Sequence, residues 1–447
     1  MKTKHSLPVL VLARLSLAAL ALTLFQATLT SASGQELASS LDRQRGRTML
    51  TAIKSDLEKN YYDPSFRGMD VNARFKEAED KIKQATSLGQ VFGIIAQVLI
   101  ELDDSHTFFL PPGRSYTTEY GWQMQMIGDK CLVVAVKPGS NAEAKGLKEG
   151  DEIVTIDGFQ PNRENMWKIQ YSYNNLRPRA GMRLAVVKPD GLERQLDVLA
   201  TIKQGKRVVD LTSSDIFDLI RNEENENRLH RHRYVEMGDD LFIWKMPSFD
   251  LEDHKVDDTV EKFRKRKALI LDLRGNGGGY ETTLLRLVAN VFDRDIKIGD
   301  LKRRKETKPI AAKTRRDKVF AGKLIVLIDS QSGSAAELFA RVVQLEKRGI
   351  VIGDRSAGAV MRAKHHSRQL GMDTVVPYGV SITDADIVMG DAKSLERVGV
   401  IPDETRLVSA VDLAARRDPV LAYAASLAGV TLPPEKAGTL FPMEWRK

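Results

Sequence analysis

At roughly 100 to 200 residues per domain, a chain of 447 residues, 42% of them hydrophobic, makes two to four domains with real cores, which sets the class as soluble and globular. Its single cysteine, Cys131, excludes an intramolecular disulfide, so stability must come from core packing. The formal net charge of +8 falls to about +5 without the three basic residues of the leader described next, a mild balance.

Residues 1–34 carry Lys2, Lys4 and Arg14 and no acidic residue, then an apolar run from Leu15 to about Phe25, then Ser31, Ala32, Ser33 and Gly34. This is the pattern of a secretory signal peptide cut near Ala32. Arg14 leaves the apolar run shorter than the ~20 residues that span a bilayer. The membrane is therefore expected to be met only in transit, and the mature chain to be periplasmic or secreted.

From residue 35 to 115 the apolar residues recur at helical spacing, as in Met49, Leu50, Ile53 and Leu57 and again in Phe92, Ile95, Val98 and Leu99. The stretch reads as a helical region, broken once at Asn60-Tyr61-Tyr62-Asp63-Pro64 and closed by Asp103-Asp104-Ser105-His106-Thr107. Residues 116–205 have another texture, short β-rich runs (121–127, 132–136, 153–156, 184–187) separated by turns and by one helical stretch, 163–173. The string Gly146-Leu147-Lys148-Glu149-Gly150-Asp151, followed by a strand ending in Asp157-Gly158, resembles the core of bacterial-type PDZ domains. That resemblance implies a module that takes an extended peptide or chain terminus as an added strand.

Residues 206–447 alternate strand and helix, which predicts a layered α/β domain. Ala268 to Leu273 is an apolar run of the kind buried in a parallel sheet. It ends in Arg274-Gly275-Asn276-Gly277-Gly278-Gly279, with a helix over 282–292. A second unit repeats the order: strand 324–328, turn, helix 334–345, strand 350–352. Basic clusters at 264–267, 302–305 and 313–318 lack interleaved aromatics, so they read as solvated surface and no nucleic-acid partner is expected.

The glycine run lacks both the dinucleotide pattern, since Tyr280 stands where a last glycine belongs, and the Lys-Ser or Lys-Thr of a phosphate loop. It could still offer backbone N–H groups to an oxyanion. Ser334, opening a helix after Gly333, reads either as an N-cap or as a hydroxyl near a helix dipole. The Gly-x-Ser-x-Gly elbow of α/β-hydrolases is absent.

Together, Asp272 to Gly279, Ser334-Ala335-Ala336-Glu337, Gly353-Asp354-Arg355-Ser356-Ala357-Gly358 and Glu396-Arg397-Val398-Gly399-Val400-Ile401-Pro402-Asp403 resemble the C-terminal processing, or tail-specific, protease family. The resemblance implies a crotonase-like α/β core with a helical front end and an inserted PDZ-like domain. It further implies Ser334 as nucleophile, an oxyanion held by N–H groups of Ala335 and of Gly278 or Gly279, and Glu337 in support. The family's lysine base would follow Gly358 directly, but that position is Ala359, which cannot accept a proton. A related branch, resembling tricorn-core and interphotoreceptor-retinoid-binding-protein-like proteases, implies His106 as base, Glu396 as its orienter and Ser105 as an auxiliary hydrogen-bonding residue. Imidazole, with an ordinary pKa of about 6.5, suits that role.

Lys364, His365 and His366 stand as alternative bases, and Asp384 and Asp386 as lesser rivals to Glu396. No Cys-x-x-Cys or suitably spaced ligand set occurs, so neither metal nor cofactor is expected. The implied activity is that of an exported serine endopeptidase acting on extended or unfolded polypeptides, with a silent PDZ-containing binding protein of the same fold as the alternative. Oligomeric state leaves no mark in the sequence.

Overall fold

The structure is a computed structural model that describes residues 38–114, 116–204, 231–371 and 376–445. The expected leader, residues 1–34, and most of the polar stretch before Arg233 lie outside the described residues. Among the described residues no helix is long and apolar enough to cross a membrane.

Three helices come first: α1 (Ser40–Asn60), α2 (Val71–Lys83) and α3 (Leu88–Ile100). Each starts where a short polar side chain, Ser39, Asp70 or Ser87, accepts an otherwise unpaired first-turn N–H. The break at Asn60–Pro64 is present. A second break, between Lys83 and Leu88, was hidden by the apolar spacing, because Ile82, Ala85 and Val91 share one core across it. The helices bury Met49, Ile53 and Ile95 together with Phe109, Val380 and Ile382 of a sheet built from distant parts of the chain.

After β1 (Phe108–Leu110) and β2 (Tyr116–Glu119) comes an antiparallel sheet with its strands in chain order. These are β3 (Trp122–Ile127), β4 (Lys130–Val136), β5 (Glu152–Ile156), β6 (Gly181–Val187) and β7 (Glu193–Leu199). The short α4 (Asn141–Ala144) and α5 (Met166–Tyr171), the latter running into a π-helical turn over Ser172–Leu176, complete its core with Ala142 and Ile169. Then β8 (Thr201–Gln204) returns to pair β2.

The last part holds a six-stranded sheet in the order β18-β15-β14-β11-β10-β9. Its strands are β9 (Arg233–Met237), β10 (Leu241–Lys245), β11 (Ala268–Asp272), β14 (Lys323–Ile328), β15 (Gly349–Gly353) and β18 (Glu404–Thr405). All but β9 run parallel. Successive side chains alternate faces. Phe242, Leu269, Leu271 and Val326 meet α6 (Asp253–Phe263), α7 (Glu281–Val291) and α8 (Ala335–Leu345), whereas Ile243, Ile270, Ile325 and Leu327 meet the C-terminal helices α10 (Pro419–Leu427) and α11 (Pro434–Thr439), which follow α9 (Ala410–Ala414). This two-faced burial explains why β11 reads as a continuous apolar run.

A second antiparallel sheet was not anticipated. It consists of β12 (Ile296–Lys302), β13 (Thr307–Ala312), β16 (Met361–Leu370) and β17 (Val376–Met389), with β1 at the edge of β17. The basic clusters lie beside acidic groups: Arg266 pairs with Glu236 and Asp239, Arg303 with Glu306, and Arg315 with Asp257.

Candidate active site

The glycine run and the serine turn are joined by backbone and short polar groups. Gly275 N–H donates to Asp329 Oδ1 at 2.9 Å, the Ser332 hydroxyl to Leu273 O at 2.8 Å, and Gly333 N–H to Asn276 O at 2.9 Å. Gly278, at φ +102°, lies against the serine so closely that a Cβ there would sit 2.6 Å from Ser334 Cβ and 3.0 Å from Ala335 N. No side chain fits, which accounts for this glycine.

Ser334 is the residue before α8, so it does occupy an N-cap position, and Glu337 reaches back to its N–H at 3.0 Å as in a capping box. Its backbone is unlike an ordinary cap. Ser39, Ser87, Ser140 and Ser409 cap their helices from the extended region, whereas Ser334 sits at φ +51°, ψ −117°. A non-glycine residue there costs about 1–3 kcal/mol and persists only where its surroundings impose it. A strained strand-to-helix turn of this kind presents a nucleophile, here without the usual glycine two residues on.

Glu337 is fully buried and its carboxylate accepts four hydrogen bonds. Oε1 takes the Ser356 hydroxyl at 2.6 Å and Gly358 N–H at 2.8 Å, while Oε2 takes the N–H groups of Ala359 and Ser334, both at 3.0 Å. Burial pushes its carboxyl up to about 7 even against these donors. It thereby pins the 356–359 loop to the serine, and Ser334 N–H also donates to Ala359 O at 2.9 Å.

The histidine comes from the turn between α3 and β1. Asp104 is buried beneath that turn, and its Oδ1 accepts the N–H groups of His106 and Thr107 (2.9 and 3.0 Å) and the Thr383 hydroxyl (2.7 Å), while Oδ2 accepts the Tyr61 hydroxyl at 3.0 Å. His106 Nδ1 lies 2.7 Å from Ser105 Oγ, which donates to Glu396 Oε2 at 2.8 Å. Ser105 has one hydroxyl proton, and the ionised carboxylate takes it, so Nδ1 must be the protonated ring nitrogen and Nε2 the basic one. Burial holds the imidazole below its ordinary pKa, against the Asp104 charge; His365 and Arg397 lower it further.

Glu396 also accepts Ser105 N–H (2.9 Å, Oε1) and Val360 N–H (2.9 Å, Oε2). Val360 follows Ala359, the acceptor of Ser334 N–H, so a short path runs from the serine to Glu396 and through Ser105 to the imidazole. Burial raises the Glu396 carboxyl above its ordinary value, opposed by both Ser105 donors. Among the described residues, Ser334 Oγ and the imidazole share no direct hydrogen bond. Such bonds often tighten only when substrate is bound.

Of the oxyanion candidates, Gly278 N–H is occupied by Asn276 Oδ1 at 2.8 Å. The N–H groups of Gly279 and Ala335 have no partner among the described residues. The rival residues are placed elsewhere. Lys364 pairs with Asp384, which also takes both ends of the Arg362 guanidinium, and Asp386 accepts the Ser394 hydroxyl. His365 packs edge-on to Phe108, and His366 Nε2 is buried without a partner. Among the described residues no cluster of potential metal ligands occurs.

The β3–β7 module touches the turns beside this centre. Gln125 Nε2 donates to Asp329 Oδ2 at 2.7 Å and Gly128 N–H to Asp354 Oδ2 at 2.8 Å, and Arg163 pairs with the same Asp354.

With this geometry in view, residues 242–406 match Peptidase family S41. That segment is therefore similar to a serine-type peptidase domain. Relatives include the tail-specific protease of Haemophilus influenzae, 26% identical over 272 residues, which are 57% of this chain and 36% of that protein. The chloroplastic C-terminal processing peptidase of Tetradesmus obliquus is 24% identical over 370 residues, 78% of this chain and 74% of the relative. The match thus spans about a third of the Haemophilus protein's length. Among solved structures, mature CPAF complexed with lactacystin shares the fold at a TM-score of 0.63 and 16% identity, over 87% of this chain and 98% of that one. The S41 segment carries Ser334, Glu337 and Glu396, whereas Ser105 and His106 come from outside it.

Asp104, Asn276, Ser356 and Thr383 hold the centre together, and sequence reasoning gave them no role. Asp104, Asn276 and Ser356 stood inside quoted motifs, which was the available signal. Thr383 is 279 residues from its partner Asp104 and left none.

Proposed function

We propose that the chain is an exported serine endopeptidase whose base is His106 and not a lysine. The observation that carries this reading is the hydrogen-bonded series His106–Ser105–Glu396, tied through Val360 to the loop that holds Ser334. His106 Nε2 takes the Ser334 proton as Oγ attacks a peptide carbonyl. Ser105 and Glu396 keep the imidazole in the required tautomer and stabilise its cation, the division of labour of a serine triad with one hydroxyl interposed. The carbonyl oxygen, now negative, is met by the free N–H groups of Ala335 and Gly279, Ala335 at the positive end of α8. Collapse returns the proton to the leaving amine and leaves an acyl-enzyme, which water hydrolyses by the reverse assignment. No cofactor is required.

In this reading residues 1–34 are a signal peptide, residues 35–115 the helical region that carries the base, 116–205 a PDZ-like module, and 206–447 a crotonase-like catalytic domain. The substrate is an extended polypeptide, recruited through a chain end that adds to the β-module. Incubation of an unfolded, carboxymethylated polypeptide with wild type and with Ser334→Ala tests it. Fragments from wild type alone support the proposal. Intact substrate with both, yet bound by both, would replace it with a silent binding protein of the same fold.

A further inference from the structure

Arg397 follows Glu396 and sits at φ +66°. Its backbone belongs to the serine half of the site, since its N–H donates to Gly358 O at 2.7 Å and Gly358 N–H donates to Glu337. Its side chain belongs to the histidine half. Nη2 lies 2.9 Å from Asp103 Oδ1, and Nε donates to Asp103 O at 3.2 Å while standing 3.7 Å from Glu396 Oε1. Asp103, at φ +49°, begins the turn that carries Ser105 and His106, and Arg67 of the front region donates to the same Asp103 carbonyl. The guanidinium is also covered by a ring of the β-module, with Trp167 centred 5.6 Å from Arg397 Cζ.

We propose that Arg397 is a positioning residue that fixes the Asp103–His106 turn against the Ser334 loop, with Trp167 setting where its guanidinium rests. This rests on the reading of His106 as base. Ser334 and His106 stand on different parts of the chain, the one on the α/β sheet and the other on the helical front region. A planar fork that grips both the carbonyl and the carboxylate of Asp103 sets distance and angle together, which a lysine's point charge cannot do. A base displaced by about 1 Å forfeits up to ~10²-fold in rate, so such a joint acts on the chemical step rather than on substrate affinity.

The test is saturation labelling with a fluorophosphonate at a pH of about 8.5, above the ordinary imidazole pKa of about 6.5, giving a limiting rate and a half-saturating concentration. Labelling of wild type on Ser334, absent from Ser334→Ala and slowed at least ~10²-fold in His106→Ala, establishes the underlying reading separately; no labelling of wild type, or a wild-type rate in His106→Ala, would remove that reading and this inference with it. Arg397→Ala and Asp103→Asn should each lower the limiting rate about 10-fold with the half-saturating concentration unchanged. The double variant should be no slower than Arg397→Ala alone, because Asp103→Asn weakens a contact that Arg397→Ala already removes. Arg397→Lys should recover the rate only in part, and Trp167→Ala should lower it about 3-fold. Asp103→Asn carries the test even if Arg397→Ala does not fold, because its side chain is 66% exposed and asparagine tolerates positive φ. Wild-type limiting rates in Arg397→Ala or Asp103→Asn, or losses that multiply in the double variant, would overturn the proposal.

Discussion

Around Ser334 close backbone packing and one buried carboxylate from its own helix, Glu337, do the positioning, whereas around His106 side chains from distant parts of the chain converge. The serine stands at φ +51° against Gly278 at φ +102°, in space that admits no Cβ, and its turn is tied to the glycine run through Asn276 O and Leu273 O. The histidine turn is assembled on carboxylates, with Asp104 taking four donors and Glu396 three. The difference follows from where the two lie. The serine half sits between adjacent parallel strands whose registers are fixed by the sheet, so short turns suffice. The histidine half sits at the meeting of the front helices with a strand almost 280 residues away, and only long-range polar contacts can set it.

That contrast predicts unequal damage. Gly278→Ala should be the most harmful change at a residue without chemistry of its own, lowering fluorophosphonate labelling of Ser334 about 10³-fold, since the new methyl must displace the serine or the Ala335 donor. Ser105→Ala removes the hydroxyl between His106 and Glu396, and a loss of about 10²-fold is expected, the lower end of what general base catalysis supplies. If Ser105→Ala were as harmful as Gly278→Ala, the two halves would be equally rigid and the comparison would fail.

Glu337→Gln is the intermediate case, with a loss of about 10-fold for weakening charge-assisted bonds around the serine. Its pH dependence sharpens the point. Burial pushes Glu337 up to about 7 and holds His106 below its ordinary value. Glu337 must be ionised to accept four donors, so wild-type labelling should fall as the pH drops through about 7. Glu337→Gln cannot titrate there, and its rate should stay level to lower pH, until the imidazole takes a proton. A wild-type limb lying below that of the variant would contradict this assignment. The smallest effect is expected from Tyr61→Phe, which removes one of Asp104's four donors. Urea unfolding should show a loss of about 1–2 kcal/mol, with the labelling rate of the folded protein changed less than about 3-fold.

Much of the serine half was legible in the sequence. Continuous apolar runs ending in glycine or a small polar turn mark strands buried on both faces, and these deliver Gly275 to Gly279 and Ser332 to Glu337 to neighbouring strand ends. The histidine half was legible only as a resemblance resting on Asp104-Ser105-His106-Thr107. Nothing in local periodicity shows that Thr383 or Tyr61 would reach Asp104, or that Ser105 would stand between His106 and Glu396. The second sheet was missed for a related reason. Exposed, charge-rich strands such as β16, with Lys364, His365, Ser367 and Arg368 at the surface, lack the apolar alternation that identifies a half-buried strand. The occupation of Gly278 N–H by Asn276 depends on a buried asparagine side chain reaching forward two residues, which residue type alone does not reveal.

In the proposed mechanism His106 activates Ser334 in the absence of a lysine base. The most direct measurement is mass-spectrometric localisation of a fluorophosphonate adduct on wild type, Ser334→Ala and His106→Ala near neutral pH. An adduct is expected on Ser334 in wild type and none in Ser334→Ala, with labelling slowed at least ~10²-fold in His106→Ala. Labelling of Ser334 at the wild-type rate in His106→Ala would contradict that mechanism and pass the role of base to Lys364, His365 or His366.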